Sequence, residues 1–102
     1  MKIIAKLVDL IDDELSGAEE YAKLALQWKA AHPKTAEALH ELAGVEMTHV
    51  KRLHAEAARL IEEERTRSGE PPAAMLAVYD YEHQKQIKRA AATRALIDEY
   101  NT

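Results

Sequence analysis

Cysteine and phenylalanine are absent from this chain, and glycine and proline number only three each in 102 residues. Without cysteine there is neither a disulfide scaffold nor a thiolate metal site. Few β-branched and aromatic residues stand against an abundance of Ala, Leu, Glu, Lys and Arg, a balance that excludes an extended sheet and favours long helices. No stretch approaches the roughly 18 apolar residues of a membrane span, because Lys6 and Asp9 interrupt the one apolar start. No small-residue cleavage site follows that start, so a soluble cytoplasmic protein is the expectation. Fourteen basic against eighteen acidic residues give a net charge of −4, which works against a phosphate-binding surface and against nucleic acid as a partner. There is no glycine-rich phosphate loop, nucleophile elbow or βαβ pattern, which sets aside kinases, dinucleotide enzymes and serine or cysteine hydrolases.

What is present is 47% hydrophobic and 31% charged residues, enough for one domain over residues 1–102 with one core. Breaks fall at His32-Pro33-Lys34-Thr35 and at Ser68-Gly69-Glu70-Pro71-Pro72. The intervening segments carry helical periodicity, giving three expected helices at about 2 to 31, 33 to 67 and 71 to 100. Pro33 and Pro71 suit first-turn positions and Gly69 a helix C-terminus. At ~1.5 Å per residue each rod is about 45 Å long, and short loops require an antiparallel up-down bundle of three long helices. No solenoid repeat and no heptad with charged flanks long enough for a plain coiled coil is evident.

Winding the first helix at ~100° per residue gathers its apolar residues, from Ile3 to Trp28, into one arc that also contains Glu14. Asp12, Asp13, Glu19 and Glu20 fall outside it. On the second helix Leu39, Leu42, Leu53, Ala57 and Leu60 form a stripe centred on Glu46 and His49, one turn apart. On the third, Leu76, Ile87, Ala90 and Ala91 share a face with Asp80 and His83, while Glu82 points away. Acids and imidazoles driven into an apolar interior cost several kcal/mol each unless they are paired. The nearby basic residues are few, and the exceptions, Lys29 and Arg94, lie far along their helices. A divalent metal resolves the cost, and a carboxylate–imidazole set without thiolate points to iron, manganese or zinc. Candidate ligands are therefore Glu14, Glu46, His49, Asp80 and His83.

Axial height sorts these five. Glu14 lies 18 residues before His32, and Glu46 and His49 lie 14 and 17 residues after it, so the three stand nearly level. Arg67 is 18 residues after His49, yet His83 is only 12 residues after Pro71, a shortfall of about 9 Å for Asp80 and His83 unless the loop climbs. Glu19, Glu20, Glu62, Glu63, Glu64 and Glu82 read as solvated faces. His32 reads as a loop residue, His40 and His54 as surface or boundary residues, and Trp28, Met47, Tyr79 and Tyr100 as packing.

Glu14 with Tyr21 seven residues later, followed 32 residues after Glu14 by Glu46-Met-Thr-His49, resembles the ferritin-like superfamily, most closely its rubrerythrin and bacterioferritin branch. That resemblance covers residues 1 to about 67. It implies a non-haem diiron site in a four-helix bundle and iron(II) chemistry with oxygen or peroxide, an oxidoreductase activity. Glu14, Glu46 and His49 would be ligands and Tyr21 a neighbour. The chain departs from the family in lacking a fourth helix and a cysteine-based electron-transfer domain, and Asp80-Tyr-Glu-His83 stands where a Glu and a second E-x-x-H would be. Two assemblies would supply the missing half. In the first, preferred one, the third helix completes the site with Asp80 and His83, matching their inward arc. In the second, two chains pair their first two helices about a twofold axis, matching the axial arithmetic; dimerisation or higher assembly is compatible with both. The competing expectation is a non-catalytic interaction module in which Glu14, Glu46 and His49 form a polar network or a structural zinc site.

Overall fold

A computed structural model describes residues 2–102. The chain is all-helical, with α1 at Lys2–Trp28, α2 at Pro33–Ser68 and α3 at Ala73–Tyr100. Among the described residues no strand occurs, and no helix is long and apolar enough to cross a membrane.

Proline chemistry sets the ends. His32 precedes Pro33, whose ring disfavours the helical region for its neighbour, and His32 takes φ −136°, ψ 69°. As a result α1 stops at Trp28, three residues short of the expected end, in a turn closed by His32 N–H donating to the Trp28 carbonyl at 2.8 Å. Pro33 then opens α2, where a first-turn N–H has no intrahelical acceptor. Gly69 ends α2 at φ 81°, its N–H donating to the Arg65 carbonyl at 2.9 Å. Pro71 is not the first residue of α3 as its position suggests. Pro72 follows it and keeps Pro71 out of the helical region, and Pro72 itself is extended at φ −52°, ψ 141°. The helix begins at Ala73.

The contact between α1 and α2 is the most extensive. Ile4, Leu7, Ile11, Leu15, Ala18, Ala22 and Ala25 are buried along α1, and Ala36, Ala43, Val50 and Ala57 along α2. The four from α2 recur every seven residues, as do Ile4, Ile11, Ala18 and Ala25, so the seam has a heptad period built largely of alanine. Small side chains let the two axes approach closely. Ile4 and Leu7 pack with Ala57, and Ile11 and Leu15 with Val50, so position falls along α2 as it rises along α1. The apolar arc expected on α1 is narrower than the winding suggests: Ile3, Leu10 and Trp28 remain on the surface.

Helix α3 lies on one side of this pair and packs chiefly on α1. Tyr79 joins the Ile4–Leu7 cluster and Ala90 the Ile11–Leu15 cluster. Its buried residues are Gln86, Ala90 and Thr93, so the face it presents differs from the expected one; Asp80, Ile87 and Ala91 are exposed. The cause is polar matching. The Gln86 carboxamide donates to the Val8 carbonyl and to Asp12 Oδ1, both at 3.1 Å, and Arg89 donates to Ser16 Oγ at 3.0 Å. At the far end His40 stacks on Tyr100, ring centroids 4.2 Å apart, and the Lys29 ammonium reaches both the Tyr100 carbonyl and its ring. The molecule is a rod of 55 × 19 × 17 Å, its length that of α2 at ~1.5 Å per residue.

Candidate metal centre

The same heptads locate the site. On α1 the column Leu7, Glu14, Tyr21, Trp28 runs beside the buried seam; on α2 the column Leu39, Glu46, Leu53, Leu60 does so. In each column a single glutamate replaces an apolar residue, and the two glutamates meet. One turn beyond Glu46, His49 joins them. A carboxylate oxygen from Glu14, one from Glu46 and a ring nitrogen of His49 all lie within 4.8 Å of one another. His49 Nδ1 is 3.3 Å from Glu14 Oε2, within hydrogen-bonding distance, and 3.9 Å from Glu46 Oε2.

Gly17 makes room for this. The Glu46 side chain lies across the α1 backbone there, and a Cβ placed on Gly17 would stand 3.7 Å from Glu46 Oε2. A longer side chain would occupy the space that the carboxylate fills. Gly17 is thus a positioning residue for Glu46, one turn from Glu14 on the same helix.

The charge balance is the informative part. Among the described residues neither Glu14 nor Glu46 has a Lys or Arg partner, although most other acids of α2 have one. Glu56 and Glu63 share Arg59, Glu62 pairs with Arg65 and Glu64 with Arg67, as expected of solvated faces. Lys29 is held by Tyr100, and Arg94 lies beside the cavity lined by Met47, Lys51 and Ile87, so neither basic exception reaches the site. Two carboxylates beside one imidazole, with a single imidazole N–H between them, form an acceptor-rich set. Such a set fits a divalent cation of the iron, manganese or zinc kind.

Asp80 and His83 are not brought to this set. His83 meets His54 instead: His54 Nε2 is 3.0 Å from His83 Nδ1, with the rings 14° from coplanar. His54 lies five residues beyond His49 on α2, about 7.5 Å along the axis, close to the shortfall that axial counting gives. Asp80 is exposed. Burial and the neighbouring His83 both hold His54 below its ordinary pKa, so this pair is neutral over a wider range of pH than a free imidazole. His54, read from sequence as a surface residue, and the buried Gln86 and Thr93 are the polar residues that sequence reasoning missed. A seven-residue spacing linking Tyr79, Gln86, Thr93 and Tyr100 was the available signal.

The chain matches no protein-family model, no curated protein and no solved structure. The resemblance to ferritin-like proteins therefore rests on its motifs.

Proposed function

We propose that this chain is a ferritin-like metalloprotein whose Glu14, Glu46 and His49 hold a divalent metal, iron before manganese or zinc, for iron(II) oxidation by oxygen or peroxide. The observation that carries the reading is the convergence, within 4.8 Å, of two carboxylates and an imidazole with no guanidinium or ammonium to balance them. A fully solvated pair of acids would have no need to replace apolar residues in two facing heptad columns. The antiparallel up-down arrangement of the ferritin-like fold is part of the same proposal, and it is supported by the opposed order of contacts along α1 and α2.

In this reading Glu14 and Glu46 hold the metal through carboxylate oxygens, His49 through a ring nitrogen, and Gly17 keeps the Glu46 carboxylate lying over α1. Iron, when bound, supplies the electrons that reduce the oxidant. The chain contributes negative charge that favours the higher oxidation state, and an apolar flank that limits water. Tyr21, one heptad from Glu14 along the column, stands where it can adjust the carboxylate side of the site.

The contact of His49 with Glu14 at 3.3 Å favours a second reading, a polar network or structural zinc site without redox activity. One experiment separates the two: anaerobic titration with iron(II), followed by admission of oxygen with absorbance and oxygen consumption monitored. Iron binding followed by oxidation supports the proposal. Zinc binding without iron turnover, or no metal at all, supports the second reading and removes the first.

A further inference from the structure

We infer that a second copy of this chain covers the face of α1 and α2 opposite α3, and that the two copies share one metal centre to which each contributes Glu14, Glu46 and His49. This rests on the metal-binding reading above and deepens it by naming the partner.

The site is half-enclosed. Its three donors come from one side, and α3 lies on the other side of the α1–α2 pair, against Val8, Asp12 and Ser16. The His49 side chain is 51% exposed, Glu14 30% and Glu46 22%, so the open half of any coordination sphere faces solvent. Cations of this class take up to six ligands, and two of them joined by carboxylates are held in helical bundles by a Glu from each of two helices and a Glu-x-x-His from each of two others. One copy offers half of that set. Its twofold image offers the other half, and four carboxylates then balance two divalent cations.

The surface around the opening has the character of an interface. On α1 the two adjacent columns from Ile3 to Trp28 contain Glu14 as their only charged residue. Leu10 is 36% exposed and Trp28 40%, and on α2 Leu42, one turn before Glu46, is 42% exposed. Scattered apolar residues are ordinary on a protein surface, but these flank an unbalanced charged site on one continuous face. The face is large enough: a rod 55 Å long and 17 Å across presents more than the ~800 Å² per partner of a standard interface. The site's place along the rod also matters. Glu14 is near the middle of Lys2–Trp28, and Glu46 and His49 are near the middle of Pro33–Ser68. A twofold axis through the site therefore overlays the helix pairs over nearly their whole length, whereas a site near one end would overlay only half.

Metal and association are coupled in this arrangement. Without cations, pairing would press four carboxylates together in an apolar surround. Metal removes that repulsion, so it drives the copies together, and dilution lowers metal affinity.

Sedimentation velocity on the full chain, kept anaerobic, with and without manganese(II) or iron(II), tests this. The expected result is a monomer without metal and a dimer holding two ions with it. Leu42→Glu, which alters no ligand, is expected to stay helical by circular dichroism, remain monomeric with metal present, and lose at least tenfold in metal affinity. A wild-type chain that binds metal tightly and stays monomeric overturns the shared centre while leaving the metal site standing, with its open face free for another partner. A monomeric Leu42→Glu variant that binds metal as tightly as wild type overturns the shared centre as well. A chain that binds no metal in either state removes both proposals.

Discussion

His54 Nε2 lies 3.0 Å from His83 Nδ1, and this contact joins α2 to α3 at the level of Tyr79 and Gln86. One ring donates its N–H to the lone pair of the other, so the contact requires that at least one imidazole be neutral. Asp80, Glu62 and Arg65 line the cavity on one side of the pair and Lys51 and Arg94 that on the other.

The pH dependence follows in sign. His54 is held below its ordinary value of 6.5 by burial first and by His83 second. In the window beneath 6.5 the unfolded chain thus binds more protons than the folded one, and stability falls as pH drops through the folded value. Above that window this pair contributes no slope. Thermal melts between pH 8 and pH 5 should show the wild type losing melting temperature on acidification, and His54→Gln losing less. Equal losses in both proteins would show that the imidazole pair is not the titrating element.

Metal affinity should depend on three residues and not on two others. Glu46→Gln and His49→Ala each remove a donor, and each should weaken manganese(II) or zinc(II) binding by calorimetry by at least about tenfold, the lower range seen even for indirect supports of a ligand. Helical content should be unchanged, because both side chains sit at the edge of the seam. Asp80→Ala and His83→Ala should bind metal as the wild type does. If they lose it, α3 swings to the site in solution.

Two substitutions at Gly17 should act oppositely. Ala places a methyl group 3.7 Å from Glu46 Oε2, an ordinary contact, and removes a mid-helix glycine, for a gain of about 0.5–1 kcal/mol with metal affinity retained. Leu extends into the volume of the carboxylate and should weaken metal binding by displacing Glu46. A Leu variant with wild-type affinity would mean that Glu46 reaches the metal by another path.

The core itself is most sensitive at Leu15, which is fully buried between α1, Val50 and Ala90. Leu15→Ala should cost about 2–5 kcal/mol. For a domain of this size that lowers the melting temperature by about 10 °C or more. Leu10→Ala, on the exposed side of the same helix, should cost well under half as much in the monomer.

The helices and their breaks were readable because Pro33, Gly69 and the paired prolines punctuate a chain otherwise rich in helix formers. Glu14, Glu46 and His49 could be found because residue counting from His32 is reliable for two rods joined by a four-residue turn. The heptad seam was harder to see: Ala36, Ala43 and Ala57 are too weakly apolar to stand out beside Leu39, Leu42 and Leu53. The face of α3 was the hardest. Its buried positions include Gln86 and Thr93, and hydrophobic arithmetic assigns such residues to water unless the acceptors waiting on α1, Val8 O and Asp12, are already known. His83 went to His54 for a related reason, since two surface-reading histidines reveal a mutual contact only in three dimensions.

The turn at Lys29–His32 bears on the order in which the molecule forms. All three proposed ligands precede Ser68, and the hairpin that joins them closes a short loop, so their contacts are low in contact order and form early. The C-terminal helix, attached by fewer apolar and more directional contacts, completes later. During synthesis the ligand set is therefore fully emerged before α3 has been made, and the final third of the chain acts on an already gathered centre.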